Sequence, residues 1–144
     1  METLTMGQTR VRAKIENVSD YLNVKAGTLT PDKIRSIEVD DALVDTGARF
    51  LGLPTKHIRA LGLKHMQTKQ GLSATGLRPC EMYSAVWLTV AGRQCTVDVI
   101  EIADECPVLI GYVPLESLDF IVDPINQRLI GNPEHGGQNI IELL

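Results

Sequence analysis

Apolar and polar positions alternate at the start of the chain. Thr9, Val11, Ala13 and Ile15 interleave with Gln8, Arg10, Arg12, Lys14 and Glu16. A period of two puts the two sets on opposite faces, so this segment predicts a half-buried β-strand. The alternation stops over residues 17–32, where Ser19-Asp20 and Thr30-Pro31-Asp32 predict a loop or a short helical turn. A second strand begins over 34–39 and continues over 42–44, with a bend or bulge at Asp40-Asp41. Further on, Pro54 suits the first turn of a helix, where a missing N–H is no loss. Residues 55–61 therefore predict a short helix with Ile58 and Leu61 on one face and Gly62 capping its end.

Residues 66–79 are polar and glycine-containing, which predicts a hairpin tip or mobile loop, with 71–76 its most flexible part. Alternation returns from Met82 to Val90, turns at Ala91-Gly92-Arg93, and runs back over 95–102. Residues 107–110 predict a short buried strand ending at Gly111, and residues 114–118 a helical turn. Residues 120–122 and 128–130 predict a last hairpin. Many short strands with brief helices make the class mainly β, and 144 residues suit a single domain spanning 1–144.

Charge narrows the functional classes. Eighteen acidic against fourteen basic residues leave a net charge of -4, with no basic run, which argues against nucleic acid as a partner. At 4%, the aromatic content is too low to suggest stacking on bases or sugars. No apolar run reaches the length of a membrane span. The polar start Met1-Glu2-Thr3-Leu4-Thr5 lacks a signal-peptide core, so the expected location is the cytoplasm. Cys80, Cys95 and Cys106 are odd in number and form no C-x-x-C pair, so they are expected to be plain reduced thiols. His57, His65 and His135 lack metal-ligand spacing and are expected to be surface imidazoles; no metal and no cofactor is expected.

The chemistry concentrates at Ala42-Leu43-Val44-Asp45-Thr46-Gly47-Ala48. An apolar strand delivers one carboxylate to a tight turn, followed by residues small enough for another backbone to approach. About sixty residues later comes Val108-Leu109-Ile110-Gly111. An Asp-Thr-Gly triplet alone is weak, and an aspartate at a turn is ordinarily structural. The two motifs in this order and separation resemble the retropepsin-like (retroviral-type) aspartic proteases. The helix from Pro54 to Leu61 and the ending Asn126-Gln127-Arg128-Leu129-Ile130 resemble the cellular and bacterial branch of that family, and the stretch from Leu115 to Asp123 resembles the family's helix and following strand. The resemblance covers roughly residues 35–133.

That resemblance implies a small closed β-barrel of the retropepsin type with short helices, in a symmetric homodimer. It implies an aspartic endopeptidase that needs no cofactor and takes a peptide or protein substrate. Asp45 would be the catalytic acid, one per subunit. Thr46 would tie the two turns across the axis, and Gly47 would keep backbone close to the attacking water. Ala48 would lie under the substrate with Arg49 beside it, while Ala74, Thr75 and Gly76 would form the flap tip. Leu109, Ile110 and Gly111 would support the turn from behind. Two carboxylates must share one proton, because close like charges do not both ionise, so a chain with one motif holds half a site. Viral members often carry acidic residues after the motif, where this chain has Arg49-Phe50. The apolar residues Ile140, Ile141, Leu143 and Leu144 would either join the partner's first strand, as termini do in the viral relatives, or pack on their own subunit. Two rivals remain: a catalytically silent peptide-binding or oligomerisation module on the same fold, and an unrelated β domain with Asp-Thr-Gly in an ordinary turn.

Overall fold

The computed structural model describes residues 8–143. The polar start at residues 1–5 and the last apolar residue, Leu144, lie outside the described residues. The fold is mainly β. Strands β1 (Arg10–Asn17), β2 (Ser36–Val44), β3 (Leu51–Pro54), β4 (His65–Ser73), β5 (Gly76–Val90), β6 (Arg93–Ile102) and β7 (Leu109–Ile110) form one sheet. A separate pair, β8 (Phe120–Asp123) and β9 (Arg128–Gly131), forms a small hairpin. Three α-helices interrupt them: α1 (Val18–Lys25), α2 (Thr55–Leu61) and α3 (Tyr112–Leu118). Among the described residues no helix is long and apolar enough to cross a membrane.

The strand order β1-β2-β7-β3-β6-β5-β4, with β1 also pairing to β5, links six strands in a closed circuit and leaves β4 hanging on β5. Inside the circuit, Ile15, Leu51, Leu53, Leu88, Val99 and Ile110 are fully buried. Each such side chain contributes about 1.5–3 kcal/mol relative to an exposed one. The alternation in β1 turns Ala13 and Ile15 inward, as its pattern requires. Opposite Arg12, β2 carries one residue too many, because Val11 pairs with Ala42 while Ala13 pairs with Val39. The expected irregularity at Asp40-Asp41 is this bulge, and it lets two carboxylates face solvent without breaking the strand.

Two segments differ from the sequence expectation. Residues 66–79 are not a loop but the two arms of a long hairpin, paired from His65–Tyr83 down to Ser73–Gly76, with Ala74-Thr75 as its turn. Neither face of the outer arm packs on the core, so no apolar alternation marks it. Residues 51–54 form β3, whose four positions are all buried between parallel β6 and antiparallel β7. A strand covered on both faces shows no polar alternation.

The loop expected over 17–32 folds largely as α1. Asn17 is 2% exposed and makes three connections there. Its side-chain oxygen accepts the Asp20 N–H (3.0 Å), capping α1. Its amide donates to Leu61 O (2.7 Å) at the end of α2, and its backbone N–H donates to Arg35 O (3.0 Å). Asp20, 5% exposed, accepts from Arg35 through the backbone N–H (3.0 Å), Nε (2.8 Å) and Nη2 (2.9 Å). The Arg35 hydrogen bond holds the Asp20 carboxyl below the usual carboxylate range, against the opposing effect of burial. At the end of α2, Gly62 takes the left-handed conformation at φ 64°, the cap its position predicts.

The last hairpin also forms where it is expected, with the Asp123 carboxylate accepting the N–H groups of Ile125 (3.1 Å) and Asn126 (3.4 Å) in its turn. Residues 138–143 follow without regular structure, leaving Ile141 and Leu143 exposed at 74% and 84%.

Asp20→Ala should lower stability by about 1–3 kcal/mol, the cost of leaving the Arg35 donors and a buried site unsatisfied. A carboxyl whose folded pKa is depressed contributes stability above its unfolded pKa and loses it as pH falls through the folded value. Urea denaturation at neutral pH should therefore show the full loss, and the gap between wild type and variant should close as the medium is acidified.

Candidate functional site: the Asp45 turn

The Asp45 turn is held almost entirely by backbone. Strand β2 runs beside β7, with Leu43 opposite Leu109 and Val44 opposite Ile110 in parallel register. Leu43 N–H donates to Val108 O (2.8 Å), Val44 N–H to Thr9 O (2.9 Å) and Asp45 N–H to Ile110 O (2.9 Å). The chain then turns sharply, and Ala48 N–H donates back to Asp45 O (3.0 Å). The Asp45 carboxylate accepts the Gly47 N–H through Oδ1 at 2.9 Å, fixing one oxygen and leaving the other without a described partner. Asp45 is half-buried, while Thr46 and Gly47 are exposed on the same surface.

Beyond the turn, the backbone of residues 48–50 lies against the entry to α3. Gly111 N–H donates to Phe50 O (2.9 Å), Tyr112 N–H to Ala48 O (2.9 Å) and Val113 N–H to Arg49 O (3.0 Å). Three otherwise unpaired N–H groups of the helix start are satisfied by the very loop that carries the carboxylate. Gly111 sits at φ -83°, which any residue adopts, so its role is one of space and not of backbone freedom. A Cβ there would lie 2.5 Å from Phe50 O and 2.7 Å from Ala48 O. Those neighbours are hydrogen-bonded backbone and have no rotamer by which to move aside.

Leu109, Ile110 and Gly111 thus lie directly behind Asp45, Ala48 and Phe50. Arg49 projects from the far side of the turn, exposed, with its guanidinium 5.5 Å from the Phe50 ring centre. Ala74, Thr75 and Gly76 are at the end of the β4–β5 hairpin. Their recorded hydrogen bonds are local: Thr75 N–H donates to Ser73 Oγ (3.3 Å), and Ser73 Oγ donates to Gly76 O (3.1 Å). Among the described residues, no hydrogen bond or ion pair joins this tip to the 45–49 turn within one chain. Leu72 and Leu77 pair across the hairpin beside the tip, 82% and 69% exposed.

Several polar arrangements away from the turn carried no sequence signal. His57 lines a cavity with Arg10, Asp41, Lys56, Asp104 and Cys106, and burial with the neighbouring Lys56 pulls its imidazole below the ordinary range. His135 is not the surface imidazole its spacing suggests; its side chain is 13% exposed and lies between two carboxylates. The three cysteines are free, and burial pushes the Cys95 thiol up to about 11. Among the described residues no three His, Cys, Asp or Glu side chains are arranged to hold a metal ion. These pairings join residues far apart in the chain, and the only signal that could have flagged them is an isolated charge beside an apolar segment.

No protein-family model matches this chain, and no curated protein does. Among solved structures the chain is similar to EIAV protease complexed with the inhibitor HBY-793. The two are 19% identical, the match covers 82% of this chain and 94% of that one, and the TM-score is 0.47. The functional reading below rests on the residues of the Asp45 turn.

Gly111→Ala should be destabilising by about 1–3 kcal/mol, as overpacking against fixed atoms is. Gly27→Ala is the control for adding a methyl in open space, since no heavy atom lies within 4 Å of that Cβ position, although its φ of +80° adds strain of its own. Thermal melts in which Gly111→Ala matched wild type would show that the loop has room to retreat.

Proposed function

We propose that this chain is an aspartic endopeptidase of the retropepsin-like type, in its cellular and bacterial branch, acting as a homodimer with an Asp45 from each subunit. The observation that carries the reading is the Asp45 turn itself. One half-buried carboxylate is presented at the surface by a backbone lattice, with one oxygen held by the Gly47 N–H and Gly111 packed behind the loop. The six-strand circuit is then a small closed barrel, one 144-residue domain, and the turn lies at the subunit contact.

In this reading the half-buried Asp45 needs a second copy of itself across a two-fold axis. Thr46, exposed on the same surface, would link the two turns. One carboxylate takes a proton from a water held between the pair, and the other, protonated, donates to the scissile carbonyl oxygen. Gly47 leaves room for that water. Ala48 and Arg49 line the approach of an extended peptide, with Arg49 suited to an acidic group on it. The β4–β5 hairpin, tipped by Ala74, Thr75 and Gly76, closes over the peptide by strand-like hydrogen bonding and excludes water. Among the described residues no hydrogen bond ties it to the turn within one chain, which suits a flap. The three free thiols suit a reducing compartment, and the cytoplasm is the location we assign.

Asp45→Asn should abolish cleavage of a mixed peptide library, a loss on the order of 10²–10⁴-fold or more, while circular dichroism and sedimentation remain those of wild type. Specific activity of the wild-type enzyme should also fall on dilution as the dimer dissociates. Full activity in the purified variant removes Asp45 from the mechanism. Turnover linear in enzyme for a species that sediments as a monomer removes the shared site. Peptide binding with no turnover by the dimer favours the silent module.

A further inference from the structure

Residues 140–142 line one side of a groove of about 880 Å³ between α3 and β6, and a chain of polar groups pins their segment there. Its centre is Asp119, which ends α3 in the left-handed conformation at φ 58° with its side chain 6% exposed. One carboxylate oxygen accepts the Asn132 amide (3.2 Å). The other accepts the backbone N–H of Ile140 (3.1 Å) and pairs with His135 Nδ1 (2.6 Å). On the opposite edge of the ring, His135 Nε2 pairs with Glu142 at 2.6 Å. Arg93 completes the frame, donating to Leu118 O (3.0 Å), Asp119 O (2.8 Å) and Gly137 O (2.6 Å).

A neutral imidazole has one N–H and one lone pair, and a carboxylate only accepts. Both ring nitrogens of His135 face carboxylate oxygens at hydrogen-bond distance, so both contacts are attractive only when the ring is the imidazolium. On deprotonation one nitrogen must turn a lone pair towards a carboxylate. The buried Asp119 has no water to replace the ring and is held in place by two further donors, the Asn132 amide and the Ile140 N–H, whereas Glu142 is 73% exposed, meets only the ring among the described residues, and can turn to water. The contact that fails is the one to Glu142.

We propose that His135 is a proton-operated clasp that fastens residues 138–143 beside the groove through Glu142 and releases their outer part when it loses its proton. The other charged groups around it are Glu134 beside it in the chain, Glu116 on α3 and Arg93 on β6. The two glutamates favour the imidazolium, and Arg93 is committed to backbone carbonyls. The Glu142 and Asp119 contacts raise the His135 pKa above the ordinary imidazole value, against a smaller effect of burial. A group whose folded pKa is raised contributes stability below its unfolded pKa and loses it as pH rises through the folded value. The clasp is therefore shut on the acid side of the His135 titration and open on the alkaline side. Opening releases Glu142 and lets residues 141–143, whose Ile141 and Leu143 side chains are already exposed, swing away from the groove.

The test is an NMR titration of the full-length wild-type chain and of Glu142→Gln, a change at an exposed position. His135 ring shifts and the backbone 1H–15N heteronuclear NOE over 138–143 are followed together. The wild-type NOE at residues 141–143 should fall as His135 deprotonates and the Glu142 contact is lost. In Glu142→Gln the His135 midpoint should drop and that fall should disappear. An NOE that stays constant through the His135 titration overturns the clasp. So does a Glu142→Gln protein whose His135 midpoint is unchanged.

Discussion

The constraint that seats the Asp45 loop is the contact of two backbones at Gly111. The carbonyls of Ala48 and Phe50 stand where a side chain at position 111 would begin, and each accepts a hydrogen bond from the start of α3. The approach couples three things at once. It seats the loop that carries Asp45, it satisfies the N–H groups at the mouth of a helix, and it brings β7 into register between β2 and β3. Without it, the half-buried carboxylate would hang on a six-residue connection between β2 and β3. With it, that connection is held by β2, β3, β7 and the start of α3.

A second level of organisation uses buried polar side chains as fasteners between elements. Asn17 joins β1, α1 and the end of α2; Asp20 joins α1 to the segment before β2 through Arg35; Asp119 joins α3, β9's exit and residues 138–140. In each case one side chain satisfies donors from several segments, so burial of its polar atoms is offset by complete pairing. These fasteners border an apolar cluster that includes Ile15, Leu51, Leu61, Leu88 and Ile110.

How much of this was legible in the sequence follows from what each element packs against. Alternation revealed β1 and the second half of β5, because one face of each meets the core. The Asp40-Asp41 bulge was legible because two adjacent carboxylates do not both belong on a buried face. The helix end at Gly62 was legible because its glycine takes a conformation that other residues avoid. The turn at Asp45 was singled out by the triplet and the apolar run before it, and Gly111 by the apolar run that precedes it. Strand β3 was missed because a four-residue segment with a glycine and a proline resembles a connection, and its ladder comes from β6, some fifty residues away. The β4 arm was missed because its partner is a strand and not a core, so nothing in its own residues records the pairing. His135 was misjudged for a related reason: its two carboxylate partners lie sixteen and seven residues away, and neither distance matches a recognisable spacing.

Because the β1–β5 pairing closes the circuit without β4, the β4–β5 hairpin stands out from it as a solvent-exposed arm. At the root of the arm its two strands are clamped together by Glu81 bound to His65 and Thr68 at 2.6 Å and by Tyr83 against the His65 ring. Its outer two-thirds adds ladder bonds but little buried apolar surface. Such a unit melts separately from the ring that carries it. The molecule is in effect a rigid frame with one detachable arm, and thermal energy spent opening the arm costs the frame nothing.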